Sequence, residues 1–284
     1  MIVVTGATGQ LGRLVIKALL KTQPASDIVA AVRNPEKAAD LAALGVQVRR
    51  ADYNEPATLD AAFKGADKLL LISSNELGRR AVQHRAAIDA AKRSGVQLIS
   101  YTSVLRANTS PLGLADEHRE TEEALRASGV PFVLLRNGWY TENYAHGIPA
   151  ALEHGAILGS AGDGRIASAA RADYAEAAAL VMTRDAQAGR VYELAGDSAY
   201  TLAELAAEVT QQSGKKVEYR NLSEADHKAA LISAGLPEVV AALLSDSDTA
   251  ATKGALFDEG HQLSQLLGRP TTPLTTVVAE ALNA

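Results

Sequence analysis

Two hydrophobic patterns alternate through the first half of the chain. Short apolar runs rich in Val, Ile and Leu, such as residues 2–4 and 28–32, are typical of strands covered on both faces of a parallel sheet. Between these runs, apolar residues recur at the spacing of one helical face. After the first run, the residues on this face are Leu11, Leu14, Val15, Ala18 and Leu19.

The alternation predicts six strands, each followed by a helix or a turn. The predicted strands are 2–4, 28–32, 46–50, 69–72, 96–102 and 132–136. The intervening helices are predicted at 11–19, 35–44, 56–63, 82–93 and 116–128, the second capped by Asn34 with Pro35 first. Crossovers of this length predict an α/β fold of the Rossmann type, a doubly wound parallel sheet with strand order 3-2-1-4-5-6.

The pattern loosens in the second half of the chain. Strands are predicted at 191–194 and 216–219, with an amphipathic helix at 202–212 and mostly helical sequence elsewhere. We therefore predict a Rossmann domain over residues 1–144. A smaller, mostly helical C-terminal lobe is predicted over 145–284, with some of its segments returning to the sheet. Two polar segments, 107–114 and 245–254, are expected to be mobile.

Composition excludes several classes of function. The chain has no cysteine, which excludes disulfides, thiolate metal sites and a cysteine nucleophile. A net charge of −5 without a basic cluster argues against binding to nucleic acid. The apolar start is too short for a secretory signal, and no apolar run approaches the roughly 18 residues of a membrane span. A cytoplasmic location is expected.

A glycine-rich turn follows the first strand and opens the first helix. In this turn Gly6 permits a sharp bend, Gly9 lets the backbone approach a pyrophosphate, and Gly12 lets the helix pack on the strand. Backbone N–H groups and the positive end of the helix then hold the phosphates. The candidate cofactor-binding residues of this turn are Gly6, Ala7, Thr8, Gly9, Gln10 and Leu11.

The end of the second strand bears on which dinucleotide binds. An NAD site usually places Asp or Glu here, to bind the ribose 2′-hydroxyl. This chain has Arg33, which can pair with a 2′-phosphate and stack on adenine. We therefore predict NADP(H) as the cofactor, with NADPH preferred to NADH. Asp52, after the third strand, either meets the adenine edge or starts the next turn.

Segments along the whole chain carry a family resemblance. They read TGATGQLG, LLLISS, TSPLGLADEH, LLRNGWYTENY, ALEHG, RADYA and YELAGDSA. With them the chain resembles an atypical short-chain dehydrogenase/reductase of the NmrA-like branch, in particular the type 2 NAD(P)H:quinone oxidoreductases of bacteria. The resemblance implies NADPH-dependent reduction of a small quinone, with direct hydride transfer and without flavin.

The resemblance also implies further cofactor contacts after the fourth and sixth strands. Ser73, Ser74 and Asn75 would line the ribose and nicotinamide side, and Arg171 would reach the phosphates or ribose. The residues that would wrap the nicotinamide are Gly138, Trp139, Tyr140, Thr141, Glu142 and Asn143. Core or rim packing is the alternative for Trp139 and Tyr140, loop capping for Asn143, and simple solvation for Arg171.

The usual proton donor of such reductases is missing, since none of the eight tyrosines has lysine four residues later. A simple ketone becomes a basic alkoxide on reduction, so its reduction needs a positioned acid. A quinone yields a phenolate-like oxygen with a pKa near about 10, which can take its proton from water. The missing acid therefore favours a quinone acceptor and leaves the catalytic residues unknown.

Other chemistries have little support in the sequence. The six histidines lack metal-ligand spacing, so no metal is predicted, and His84 and His118 are expected to be solvated or packed. The carboxylates of the predicted helix 116–128 are interpreted as a solvated face. They are Glu117, Glu120, Glu122 and Glu123.

Two alternative functions are weighed against quinone reduction. A redox sensor that binds NADP(H) without turnover fits equally well with a missing acid. An epimerase or dehydratase lacks its tyrosine and lysine. The sequence leaves a homodimer open.

Overall fold

The computed structural model describes residues 1–283. The strands of this part of the chain are β1 (Ile2–Thr5), β2 (Ile28–Val32), β3 (Gln47–Arg50), β4 (Lys68–Leu71), β5 (Leu98–Val104), β6 (Phe132–Asn137), β7 (Ala156–Gly159), β8 (Val191–Leu194) and β9 (Glu218–Asn221).

Helices follow most strands. They are α1 (Gln10–Leu19), α2 (Ala39–Ala43), α3 (Pro56–Phe63), α4 (Arg80–Arg93), α5 (Ala115–Ser128), α6 (Glu142–Ala145), α7 (Ile148–His154), α8 (Arg171–Thr183), α9 (Leu202–Ser213), α10 (Glu224–Ser233), α11 (Glu238–Ala251), α12 (Gln262–Leu267) and α13 (Leu274–Leu282). Short 3₁₀ turns lie at Ala25–Asp27 and Pro35–Ala38.

The chain divides into two compact units. The first contains residues Met1–Ala107, Asp116–Asn137 and Arg171–Tyr192. The seven-stranded parallel sheet has the order β3-β2-β1-β4-β5-β6-β8, which confirms the predicted order and adds β8 beside β6. The predicted α/β fold is therefore confirmed.

Burial explains why the first unit folds this way. All residues of β1 and β2 are buried, as the unbroken apolar runs predict for a sheet covered on both faces. Helix α1 buries Leu11, Val15 and Leu19, which lie on its predicted apolar face. The Asn34 side chain accepts from the backbone N–H of Glu36 at 2.9 Å and caps the next turn, as predicted.

The second unit contains Asn108–Ala115, Gly138–Ala170 and Glu193–Ala284. In it β7 and β9 form a small parallel pair, and a capping box of Thr201 and Glu204 starts α9. The segment 245–254 was expected to be mobile, and this is wrong: most of it lies in α11, with Ser245 and Asp248 buried. A buried carboxylate needs hydrogen-bond partners, and these hold the polar segment in a helix.

A buried ion pair in the first unit overturns part of the predicted solvated face of α5. Glu122 is 1% exposed, and its carboxylate accepts from Arg136 at 2.7 and 2.9 Å and from Ser103 at 2.7 Å. Burial alone would raise the pKa of Glu122, but these partners hold it below its ordinary value. Glu120 and Glu123 are exposed, as expected for a solvated face.

Two buried histidines lie between β5, α4 and α5. His84 is 0% exposed, and its Nδ1 lies 2.9 Å from the hydroxyl of Thr121. Nδ1 of His118 lies 2.6 Å from the hydroxyl of Tyr101. The packed alternative for these histidines is therefore confirmed. Burial first, then the charge of Arg80, lowers the pKa of His84 to about 3 and the pKa of His118 well below its ordinary value.

Because these two histidines are buried and neutral, we expect the folded protein to lose stability in acid. An unfolded histidine binds a proton near pH 6.5, but folded His84 stays neutral down to about pH 3. The free energy of unfolding therefore falls as pH drops below 6.5, by about 1.4 kcal/mol per pH unit for each such group. We expect His84→Gln to show a shallower fall than the wild type in guanidinium unfolding at pH 7.5, 6 and 5.

The matched control is His154→Gln, because His154 is exposed on α7. This variant should follow the wild-type dependence on pH. Equal slopes for all three proteins would contradict a neutral, buried His84.

Candidate functional site

The turn after β1 has a sharp bend at Gly6 and no room for a side chain at Gly12. Gly6 has φ +59°, and its carbonyl accepts from the N–H of Gly9 at 2.9 Å. A Cβ on Gly12 would lie 2.4 Å from the Gly6 carbonyl oxygen and 2.7 Å from Cα of Ala7. Backbone packs directly on backbone here, so a glycine is required at the start of α1.

The same turn fits a pyrophosphate. Gly9 is the N-cap of α1 and makes no side-chain cap hydrogen bond, which leaves the first turn of α1 uncapped by a side chain. Gly6, Gly9 and Gln10 are all exposed. An exposed helix N-terminus with bare backbone is the arrangement that binds phosphate groups, so the residues present fit a dinucleotide.

Arg33 lies at the carboxyl end of β2, beside this turn in the sheet. Its side chain is 60% exposed and forms an ion pair with Glu76, from Nη1 to Oε1 at 2.7 Å. Asp52, the other candidate near adenine, accepts from the N–H of Asn54 at 2.9 Å and forms an isolated bridge with Glu55. The structure therefore assigns Asp52 to the start of the next turn.

Buried side chains hold the loop after β4. The N–H of Ser73 donates to Thr102 at 2.8 Å, and the N–H of Ser74 donates to Nε2 of His84 at 2.9 Å. The carbonyl of Ser74 accepts from Arg80 at 2.7 Å. Asn75 follows and is exposed. The loop therefore has a defined course at the carboxyl edge of the sheet.

The bond from Ser74 requires a neutral histidine. Nε2 of His84 must offer a lone pair, so the proton sits on Nδ1, which donates to Thr121. The Thr121 hydroxyl in turn donates to the carbonyl of Glu117 at 2.8 Å. The low pKa of His84, caused by its burial, keeps the ring neutral at neutral pH, and its two hydrogen bonds select this tautomer.

Arg171 begins α8 on the carboxyl side of the sheet. Nζ of Lys68, at the start of β4, donates to the carbonyl of Met182 near the end of α8 at 2.9 Å. The end of α8 therefore lies near the amino edge of the sheet, and α8 packs on α1, which itself begins at the carboxyl edge. The first unit thus brings four predicted groups to one edge: the glycine turn, Arg33, the loop at Ser73, Ser74 and Asn75, and the start of α8.

The predicted segment 138–143 belongs to the second unit. Its backbone pairs with the strand-like residues 168–170, since Thr141 donates to Ala169 at 3.0 Å and Ala169 donates to Trp139 at 3.1 Å. Trp139 is buried at 8% exposure, whereas Tyr140, Glu142 and Asn143 are partly exposed. Trp139 therefore packs in the interior of this unit.

A buried carboxylate anchors the end of this segment. The hydroxyl of Tyr144 donates to Oδ1 of Asp248 at 2.8 Å, and the N–H of Ser160 donates to Oδ2 at 3.2 Å. Burial first, and then the charge of Asp248, raises the pKa of Tyr144 well above its ordinary value. Burial also raises the pKa of Asp248. Tyr144 is therefore a poor acid, with its proton committed to Asp248.

Sequence reasoning missed the groups that hold the site together. The sequence predicts no role for Glu76, Gln83 or Asp248, and it predicts only that His84 is packed or solvated. A signal for Glu76 was available, because it follows Ser73–Asn75 at the end of a predicted strand, where ligands bind in such sheets. Nothing in the local sequence marks Asp248.

Among residues 1–283 no cluster of three His, Asp or Glu side chains has the geometry to hold a metal ion. In the same range no helix has both the length and the apolar character required to cross a membrane.

Comparisons with known proteins agree with this arrangement. The profile of a family described as NAD(P)H-binding matches residues 6–185. Quinone oxidoreductase 2 of Escherichia coli strain K12 is 62% identical over 283 residues, which cover 100% of this chain and 99% of the relative. An NmrA-like family domain-containing oxidoreductase of Aspergillus flavus is 31% identical over 78% of this chain and 74% of its own length.

A solved structure is similar over the full length. The crystal structure of the NADPH-dependent quinone oxidoreductase QOR2 of Escherichia coli, complexed with NADPH, has a TM-score of 0.97 and 61% identity, with 100% of each chain covered. With the glycine turn, the sheet order and these matches together, the chain belongs to the NmrA-like branch of the NAD(P)H-binding family.

Proposed function

We propose that the chain is an NADPH-dependent quinone oxidoreductase that delivers hydride directly to a small quinone. The observation that carries the proposal is the bare-backbone turn, in which Gly12 lies too close to Gly6 to bear a side chain. Such a turn fits a dinucleotide, and the full-length likeness to a quinone oxidoreductase supports the acceptor.

The proposed cofactor contacts follow the arrangement at the sheet edge. The turn residues Gly6, Ala7, Thr8, Gly9, Gln10 and Leu11 hold the pyrophosphate, Arg33 holds the 2′-phosphate, and Ser73–Asn75 line the ribose. Arg171 and the segment 138–143 are further proposed contacts. We also propose that residues 1–144 form the NADP-binding Rossmann domain and residues 145–284 the smaller C-terminal lobe. A cytoplasmic location and a homodimer stay predictions.

When bound, the reduced dinucleotide supplies the hydride. The contribution of the protein is to hold the acceptor ring within roughly 3–3.5 Å of the donor atom and to exclude competing geometries. The reduced oxygen then takes a proton from water, because the pKa of a phenol-like hydroxyl is about 10. No side chain has to titrate in this scheme.

Two of the eight tyrosines, Tyr101 and Tyr144, agree with a reaction that uses no enzymic acid. Tyr101 is 0% exposed, and its hydroxyl is bonded to His118, so it contacts no substrate. Tyr144 follows the proposed nicotinamide segment directly, but its hydroxyl is bonded to buried Asp248. Both phenols have a raised pKa, first because of burial, which makes them weaker acids than free tyrosine.

Turnover with quinones tests the function. We expect the protein to oxidise NADPH with substituted benzoquinones well above the spontaneous rate, and kcat to vary less than about threefold between pH 6 and 9, because no side chain donates the proton. Absorbance of the reduced cofactor at several pH values measures both. A bell-shaped profile, or a preference for aliphatic ketones, would rule out this mechanism.

The sensor alternative is separated by the same assay. A sensor binds the oxidised and reduced cofactor with very different affinities and consumes neither. Binding without turnover across several quinones would favour that alternative.

Arg33 is the proposed basis of the NADPH preference. Arg33→Ala removes the cation that pairs with the 2′-phosphate, so we expect KM for NADPH to rise about tenfold or more and KM for NADH to stay within about twofold. Arg93→Ala is the matched control, since Arg93 ends α4 in a similar surface pair with Asp60 at 2.8 Å. Equal effects on both cofactors would contradict the assignment.

A further inference from the structure

The guanidinium of Arg33 already has an anionic partner in the chain. Nη1 of Arg33 donates to Oε1 of Glu76 at 2.7 Å, and this is a charge-assisted hydrogen bond of normal length. Arg33 lies at the end of β2 and Glu76 in the loop after β4. The contact therefore crosses the carboxyl edge of the sheet, where the proposed dinucleotide binds.

Glu76 is fixed independently of Arg33. Its other carboxylate oxygen accepts from Nε2 of Gln83 at 2.7 Å, and Gln83 is buried at 2% exposure. Its own N–H donates to the hydroxyl of Ser74 at 3.2 Å, and that hydroxyl donates to Gln83 at 2.5 Å. Arg79 adds a longer approach of 3.7 Å. Gln83 and Ser74 therefore hold Glu76 in place beside Arg33.

We infer that Glu76 is a specificity-determining residue that competes with the 2′-phosphate of NADPH for Arg33 and favours NADH. The inference rests on the proposed function, because it requires a dinucleotide in the glycine turn. Sites that bind NAD usually have a carboxylate at the end of the second strand. The end of β2 has none, and Glu76 places one beside Arg33 from the loop after β4.

The two cofactors meet Glu76 differently. A phosphate monoester carries close to two negative charges at neutral pH, so it is repelled by a carboxylate held on the same guanidinium. The 2′-hydroxyl of NADH is neutral and can donate a hydrogen bond to a carboxylate, as in sites where Asp or Glu binds the ribose. Glu76 therefore narrows the preference for NADPH that Arg33 creates.

Binding of the oxidised cofactors tests this without turnover. We expect Glu76→Gln to tighten NADP⁺ binding about threefold to tenfold and to leave NAD⁺ binding unchanged or weaker by about threefold, because glutamine keeps the shape but not the charge. Isothermal titration calorimetry of the full chain with each dinucleotide gives both dissociation constants. Circular dichroism checks the fold of the variant.

Two further variants isolate the pair. Asp60→Asn removes one charge from the exposed pair of Asp60 with Arg93, at 2.8 Å, and should leave both constants unchanged. In the background of Arg33→Ala, most of the gain from Glu76→Gln should disappear, since the competition needs the arginine.

The outcomes separate the inference from the proposed function. An unchanged ratio of the NAD⁺ and NADP⁺ constants in Glu76→Gln would overturn the inference alone. Weaker NADP⁺ binding would also overturn it, because Glu76 would then support Arg33 instead of competing for it. Failure of the wild-type chain to bind either dinucleotide would overturn the proposed function as well.

Discussion

The backbone of α1 packs directly on the backbone of the turn after β1. The position of α1 at the carboxyl edge of the first unit depends on this close contact. A side chain at Gly12 would sit 2.4 Å from the Gly6 carbonyl, so only glycine lets α1 start so close to the turn. The N-terminus of α1 is thereby placed directly after β1, whose neighbours β2 and β4 lead into Arg33 and into the loop after β4. An exposed helix N-terminus without a side-chain cap is the kind of place where proteins bind phosphate groups.

The neighbouring loop depends on polar groups that are buried and fully engaged. The N–H of Ser74 donates to a histidine that must be neutral, and its carbonyl accepts from Arg80. Burial of His84 secures the neutral form, because a charged imidazole would lose its hydration there. The shape of the loop and the protonation state of His84 are therefore coupled, which links the edge of the site to the core.

The hydroxyl groups of Tyr101 and Tyr144 are both engaged within the protein. Burial stabilises the neutral phenol of Tyr101, and Asp248 holds the hydroxyl of Tyr144. Both groups serve packing, and the proposed acceptor needs no proton from them. At the edge of the sheet Arg33 and Glu76 form an ion pair at 2.7 Å, and the two proposals on cofactor preference rest on this pair.

The sequence by itself determined the parallel sheet, its order and the glycine turn, because these follow from local periodicity and from the steric demand of single positions such as Gly6 and Gly12. Only the tertiary structure decided the partners of Glu122, Asp248 and Glu76. Each of these carboxylates has partners distant along the chain; Glu76 and Arg33 are 43 residues apart. Whether a charge is solvated, buried or paired depends on which elements pack around it, and no local pattern records that.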